Sequence, residues 1–219
     1  MANLITLTDP RSATAEALRT LRTNLMYSSV ENPLYTLLLT SPAQAEDKST
    51  LIANLAITFA QSGNKTILVD ADMRRPAQHE LWDVPNEQGL ATMMLEDKQL
   101  AAPPLVSIEA VPNLQLLPSG GQPPIPADLL ASQRMNEIIG VLRARADYVL
   151  FDAPPVLAAT DAAVLGNKLD GVLMVIRAGE TRRDDAIRAR QALERVNVHI
   201  VGAALSNAPK QRRSQQYDY

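Results

Sequence analysis

Leu34–Thr50, LYTLLLTSPAQAEDKST, decides how the rest of the chain is read. Its first part, Leu34–Thr40, is an uncharged, apolar run of strand character, and a short loop then leads to Lys48-Ser49-Thr50 and a helical stretch, Lys48–Gln61. A strand, a loop and a Lys-Ser-Thr helix start are the layout of a phosphate-binding loop. Backbone N–H groups and the helix N-terminus hold the phosphates there. The lysine reaches the β- and γ-phosphates, and the hydroxyl after it ligates Mg²⁺. Lys48 and Ser49 fit those roles. Taken alone, the same residues also describe an ordinary helix start capped by Asp47.

Outward from this stretch, strands and helices alternate. Thr66–Asp70 (TILVD), Leu114–Leu117 (LQLL), Tyr148–Asp152 (YVLFD), Gly171–Ile176 (GVLMVI) and Ile200–Leu205 (IVGAAL) read as strands. Most are apolar throughout, as strands covered on both faces are. Gln133–Ala146, Asp161–Lys168 and Thr181–Val196 read as helices, and Gly63 stands where a helix-ending glycine belongs. The pattern predicts an α/β fold: a mostly parallel sheet with helices on both faces. One domain is expected over residues 1–208, with Pro103–Pro104 and Pro123–Pro126 as surface loops. Pro10–Tyr27 is expected to be helical, with Leu18, Leu21 and Leu25 on one stripe, inside an N-terminal segment 1–30. The polar tail 209–219, PKQRRSQQYDY, is expected to be disordered.

Composition removes several functions. Twenty-one basic against twenty-four acidic residues, net charge −3, is too balanced for a general nucleic-acid or membrane-surface binder. The chain has no cysteine, which excludes disulfides and thiolate chemistry and fits a reducing, cytoplasmic setting. Its two histidines leave little room for a histidine metal cluster, and no apolar run approaches the roughly 20 residues of a membrane span. What remains is oxygen-ligand, phosphate-handling chemistry. It is supported by the strand ending Asp70-Ala71-Asp72 and by the strand ending at Asp152 before Ala153-Pro154-Pro155. Carboxylates at the C-terminal edges of parallel strands lie where open α/β sheets bind ligands.

With these residues in place, the chain resembles the bacterial tyrosine kinases of capsule and exopolysaccharide synthesis, the CpsD/CapB type, which belong to the MinD-like P-loop ATPases. DPRSATAEALRTLRTNL, KSTLIANLAITFAQSGNKTILVDADMRRP, LLPSGGQPPIPADLLAS and DYVLFDAPPVLAATDA all look like stretches of that family. The resemblance implies ATP and Mg²⁺ as cofactors, with Ala45, Glu46, Asp47, Lys48, Ser49 and Thr50 as the Walker A loop. It implies Asp70 and Asp72 as the second acidic motif and Asp152 as Walker B. Lys48, Asp70, Asp72 and Asp152 would be the catalytic set, and Ser49, Asp70 and Asp152 would hold the metal. Glu16, Arg19 and Arg22, an E-x-x-R-x-x-R pattern, would contact the neighbour in a ring of identical subunits. Tyr217 and Tyr219 would be autophosphorylated. A membrane-embedded polysaccharide co-polymerase would be the activating partner, recruiting the chain to the inner face of the membrane without insertion.

The loop departs from the family pattern. Asp47 and Ala45 stand where the family has glycine, and the first glycine of the whole chain is Gly63. Glycine serves such loops by reaching φ > 0 and admitting phosphate close to the backbone. Aspartate tolerates that backbone region, but its charge is harder to place. A carboxylate about 5 Å from a phosphate oxygen, at an effective dielectric near 20, is repelled by about 3 kcal/mol. That is on the order of a hundredfold in affinity. Two other readings therefore stand beside a kinase: a pseudo-kinase scaffold that docks on a membrane activator, and a MinD/ParA-like ATPase with another cargo.

Overall fold

Because side chains alternate across a strand, an apolar run buried on both sides must feed two cores, and these strands do so. The computed structural model describes residues 4–27, 33–44 and 47–208. In chain order its elements are α1 (Ile5–Thr8), α2 (Ala13–Tyr27), β1 (Thr36–Thr40), α3 (Lys48–Gln61), β2 (Thr66–Asp70), α4 (Gln78–Trp82), α5 (Leu90–Leu95) and α6 (Lys98–Ala101). Then come β3 (Val106–Ser107), β4 (Leu114–Leu117), α7 (Pro126–Ala131), α8 (Gln133–Arg143), β5 (Tyr148–Asp152), α9 (Asp161–Gly166), β6 (Gly171–Arg177), α10 (Arg183–Glu194) and β7 (Ile200–Ser206). The strands form one seven-stranded sheet in the order β3-β4-β2-β5-β1-β6-β7, parallel except for β3 against β4.

Leu37 and Leu39 of β1, Leu150 of β5 and Leu173 of β6 join one core with α3, Trp82 of α4 and the leucines of the N-terminal segment. Leu38, Val149, Phe151 and Val172 join the other, with α5, α8, α9 and α10. The expected α/β architecture with helices on both faces is what forms. Leu18 and Leu25 are buried and Leu21 packs against the first core, so the stripe on α2 docks as its spacing predicts.

Several boundaries differ, each for a local reason. The first strand begins at Thr36 rather than Leu34, because the Asp170 carboxylate takes the N–H groups of Tyr35 and Thr36 at 3.0 and 2.7 Å. The first long helix begins at Ala13 rather than Pro10, since Ser12 Oγ accepts the Ala15 N–H at 3.2 Å. Pro126, read as loop, opens α7, where a missing N–H is no loss. The predicted helices of residues 133–146, 161–168 and 181–196 are trimmed to Gln133–Arg143, Asp161–Gly166 and Arg183–Glu194.

The N-terminal segment is fastened to the phosphate-loop helix by one buried polar contact. Asn54 Oδ1, on α3, accepts the backbone N–H of Thr6 at 3.0 Å and its hydroxyl at 2.8 Å, while Asn54 Nδ2 donates to Thr50 O at 2.8 Å. Replacing Asn54 by alanine leaves two buried donors on Thr6 without an acceptor. The expected loss is about 1–3 kcal/mol, read as a lower denaturation midpoint with the slope unchanged.

Candidate functional site

The register of the sheet builds the site. Asp152, last in β5, lies level with Leu39 of β1 on one side and with Asp70, last in β2, on the other. The loops leaving these strands are tied together above the sheet edge. Ala71 N–H donates to Asp152 O at 2.8 Å, Ala153 N–H to Leu39 O at 3.0 Å, and Val156 N–H to Ser41 O at 2.8 Å. The chain leaving β1 skips over β5 to reach β2, so α3 starts directly over the edge where the aspartates emerge.

Lys48, the first residue of α3, is nearly buried, and its ammonium is turned down onto the carboxylates. Nζ lies 2.9 Å from Asp152 Oδ1, 3.3 Å from Asp72 Oδ2 and 3.2 Å from Ser49 Oγ. Asp70 is held apart from the lysine. Its Oδ2 accepts the N–H groups of Ala77 and Gln78 at 3.0 and 2.9 Å, and its Oδ1 that of Asp72 at 3.3 Å. Asp72 Oδ1 takes the Arg75 N–H at 3.0 Å, leaving Oδ2 toward Lys48.

Gln78, which the sequence reading did not single out, completes the cluster. It is fully buried; Nε2 donates to Asp152 Oδ2 at 2.8 Å and to Ser49 O at 3.0 Å, and Oε1 accepts the Trp82 indole N–H at 3.1 Å. Nothing in a lone glutamine after a proline-containing turn marks it in sequence. Arg74 was likewise missed, and its guanidinium forms a two-pronged contact with the buried Asp161 carboxylate, both bonds 2.9 Å.

Charge is unevenly satisfied in this cluster. Burial, reinforced by the Asp152 charge, pushes Asp70 up to about 8 despite the Gln78 backbone N–H and Lys48, which oppose it. Burial also raises Asp72 above the usual carboxylate range, against the pull of Lys48. Burial alone would lower Lys48, but Asp152 and Asp72 outweigh it and hold the ammonium above its ordinary value. Too many carboxylates for one lysine leave the cluster short of positive charge.

Above the cluster opens a cavity of about 540 Å³, lined by Ser41, Asp47, Lys48, Ser49, Thr50 and Asp72 among others. Asp47 stands at the helix-cap position in the left-handed region, φ 53° and ψ 22°, so the backbone adopts the conformation that glycine usually supplies. Its side chain makes no cap hydrogen bond, which corrects the reading of Asp47 as an ordinary cap. The carboxylate reaches instead to Arg177 Nη1 at 3.1 Å.

The comparisons with known proteins bear on this geometry. A family profile described as an AAA domain matches residues 46–182. Tyrosine-protein kinase YwqD of Bacillus subtilis is 39% identical over 217 residues, covering 99% of this chain and 90% of that one. The chain belongs to the bacterial tyrosine kinases. Among solved structures of this kinase family, the chimerical protein CapA2B2 superposes with a TM-score of 0.89 at 31% identity, covering 94% of this chain and 90% of that one. The kinase domain of Escherichia coli tyrosine kinase ETK superposes at 0.88 and 31%, covering 99% of this chain and 84% of that one. The septum site-determining protein MinD from Pyrococcus horikoshii, solved with Mg-ADP, shares the fold at 20% identity and TM-score 0.65, over 78% of this chain and 69% of that one.

The residues present suit a bacterial tyrosine kinase's nucleotide and metal. Among the described residues no three acidic, histidine or cysteine side chains close a metal cage by themselves. Mg²⁺ does not need one, since it takes one or two carboxylates together with phosphate oxygens and waters. Asp70, Asp152 and the Ser49 hydroxyl are the oxygens on offer. The structure therefore brings Asp47, Lys48, Ser49, Thr50, Asp70, Asp72 and Asp152 to one place. Ala45, Glu46, Tyr217 and Tyr219 lie outside the described residues. Glu16, Arg19 and Arg22 lie away from this cluster, on α2. Arg19 pairs with Glu16 and reaches Pro10 O at 2.6 Å, and Arg22 donates to Thr58 O of α3 at 2.8 Å.

The raised acid gives a pH signature to the protein without nucleotide or metal. A carboxyl with a folded pKa of about 8 against an ordinary 3.8 favours folding fully at low pH, and that contribution is lost as pH rises through about 8. Asp72 acts in the same direction. In magnesium-free buffer the Asp70→Asn variant is expected to lose less stability than wild type between pH 5 and pH 8, by urea denaturation at each pH. Parallel curves for the two proteins would show that Asp70 titrates normally.

Proposed function

We propose that this chain is an ATP-dependent protein-tyrosine autokinase that regulates capsule or exopolysaccharide polymerisation and export from the cytoplasmic face of the membrane. The observation that carries the reading is Lys48 Nζ, buried at the helix start between Asp72 and Asp152 beneath an open cavity. ATP phosphates entering at the α3 N-terminus meet backbone N–H groups and give Lys48 a stronger anionic partner than it now has. Ser49, Asp70 and Asp152 would hold Mg²⁺, which would neutralise charge on the transferring phosphoryl group.

Asp72 borders the cavity, and its Oδ1 is anchored by Arg75 N–H. A carboxylate whose proton affinity is raised by burial is suited to accept the tyrosine hydroxyl proton as the phosphoryl group arrives. Transfer is to Tyr217 and Tyr219 of a neighbouring subunit. From Asn207 to Tyr219 is twelve residues, a span of at most about 40 Å. A membrane-embedded co-polymerase is the activating partner, and among the described residues no helix is long and apolar enough to cross a membrane. One feature favours a second reading, the pseudo-kinase scaffold: Asp47 at a glycine position of the loop.

Three measurements test the proposal. In the first, a Lys48→Met chain with an intact tail is mixed with an otherwise wild-type chain truncated after Arg213. Phosphotyrosine is expected on the Lys48→Met chain. Phosphorylation of wild type alone with a blank mixture would place transfer within one subunit. Absence of ATP·Mg²⁺ binding by wild type at millimolar concentration, by calorimetry, would favour the scaffold.

The third concerns assembly through α2. Arg22 already satisfies a carbonyl of its own α3, so its loss is expected to lower stability as well as assembly. Arg19 is tied only within its own segment by the contacts above. Arg19→Ala is therefore expected to reduce the mass seen by light scattering with the thermal midpoint nearly unchanged. A monomeric wild type, alone and with its membrane partner, would remove the ring.

A further inference from the structure

We propose that Arg177 is the positioning residue that makes a glycine-free phosphate loop usable, by pairing with the Asp47 carboxylate and drawing it off the phosphate path. The inference rests on reading the cavity as the nucleotide site.

The difficulty posed by Asp47 has two parts. The backbone part is solved locally, since Asp47 adopts φ 53° without glycine. The charge part needs an external partner. A carboxylate that turned onto the first N–H groups of its own helix would occupy the groups a phosphate requires. In this chain it does not: no cap hydrogen bond forms, and Oδ2 lies 3.1 Å from Arg177 Nη1. The α3 N-terminus is thus left free of its own side chain.

The position of Arg177 follows from the sheet. Strand β6 runs parallel beside β1, with Met174 level with Thr40, the last residue of β1. The β1 strand ends there, whereas β6 continues to Arg177, which comes within reach of Asp47. The turn after β6 fixes the arginine. Its N–H donates to Thr181 Oγ1 at 2.8 Å, and its carbonyl accepts the N–H groups of Thr181 and Glu180 at 2.9 and 3.2 Å. Glu180 Oε1 lies 3.0 Å from Arg177 Nε, steadying the guanidinium from the far side. A guanidinium stays charged at any working pH, so its hold on Asp47 does not titrate away.

The Asp47 side chain is 57% exposed and that of Arg177 25%. An ion pair this exposed adds little to folding, which separates a positioning role from a structural one. The experiment is a double-mutant cycle on ATP·Mg²⁺ affinity, by calorimetry, with wild type, Arg177→Gln, Asp47→Gly and the double variant. Arg177→Gln is expected to weaken binding at least about tenfold in the Asp47 background. In the Asp47→Gly background the same change should cost less than about threefold. Arg177→Lys should recover most of the affinity, and the penalty should shrink as salt is raised. The thermal midpoint should stay nearly constant throughout.

An equal loss in both backgrounds would overturn the proposal, because Arg177 would then be meeting the nucleotide itself. No loss in either would overturn it too, since Asp47 would need no partner. Absence of binding in all four proteins, Asp47→Gly included, would overturn the nucleotide reading and this inference together.

Discussion

A buried ammonium among buried carboxylates is the constraint to which the rest of this molecule answers. Lys48 could not sit under the start of α3 without Asp152 and Asp72 beside it, and those carboxylates could not leave water without a cation. The arrangement needs neighbouring strands that end level with one another, a helix that starts directly above them, and loops tied by backbone bonds so that no group drifts. Even so, one lysine does not balance three aspartates, and Asp70 bears the shortfall as a raised proton affinity. With all three carboxylates ionised the cluster lacks two positive charges, the charge of one divalent cation, and it lies beneath an open cavity.

Much of this was legible in the residues. The helix Lys48–Gln61 and the strands Thr66–Asp70, Leu114–Leu117 and Tyr148–Asp152 have the bounds their apolar patterns predict. Such strands are covered on both faces, so pattern and burial coincide. The convergence of Lys48, Ser49, Asp70, Asp72 and Asp152 followed from the rule that parallel strands present ligands at their C-terminal ends. What escaped notice was short or depended on long-range pairing. The elements α4, α5 and α6 span four to six residues each, too few for a period to show. The roles of Gln78, Arg74 and Arg177 depend on partners 74, 87 and 130 positions away, Asp152, Asp161 and Asp47. No local pattern reports those.

The phosphate loop shows how a motif can lose its consensus letters and keep its shape. Reading by letters, two missing glycines suggest a retired site. Read by conformation, the one described substitution occupies the left-handed region that the motif demands. Its charge is addressed from a neighbouring strand rather than within the loop. Family membership, shown by relatives that match nearly the whole chain, is therefore compatible with a loop that departs from the family's pattern.

Gln78 has a further consequence. Its amide joins Asp152 on one side to the indole of Trp82 on the other, and Trp82 is the single tryptophan of the chain. The emission of that indole is sensitive to the polarity and hydrogen bonding of its N–H. The molecule thus contains a native optical probe, two hydrogen bonds from the Asp152 carboxylate, whose fluorescence registers events at the cluster without any attached dye.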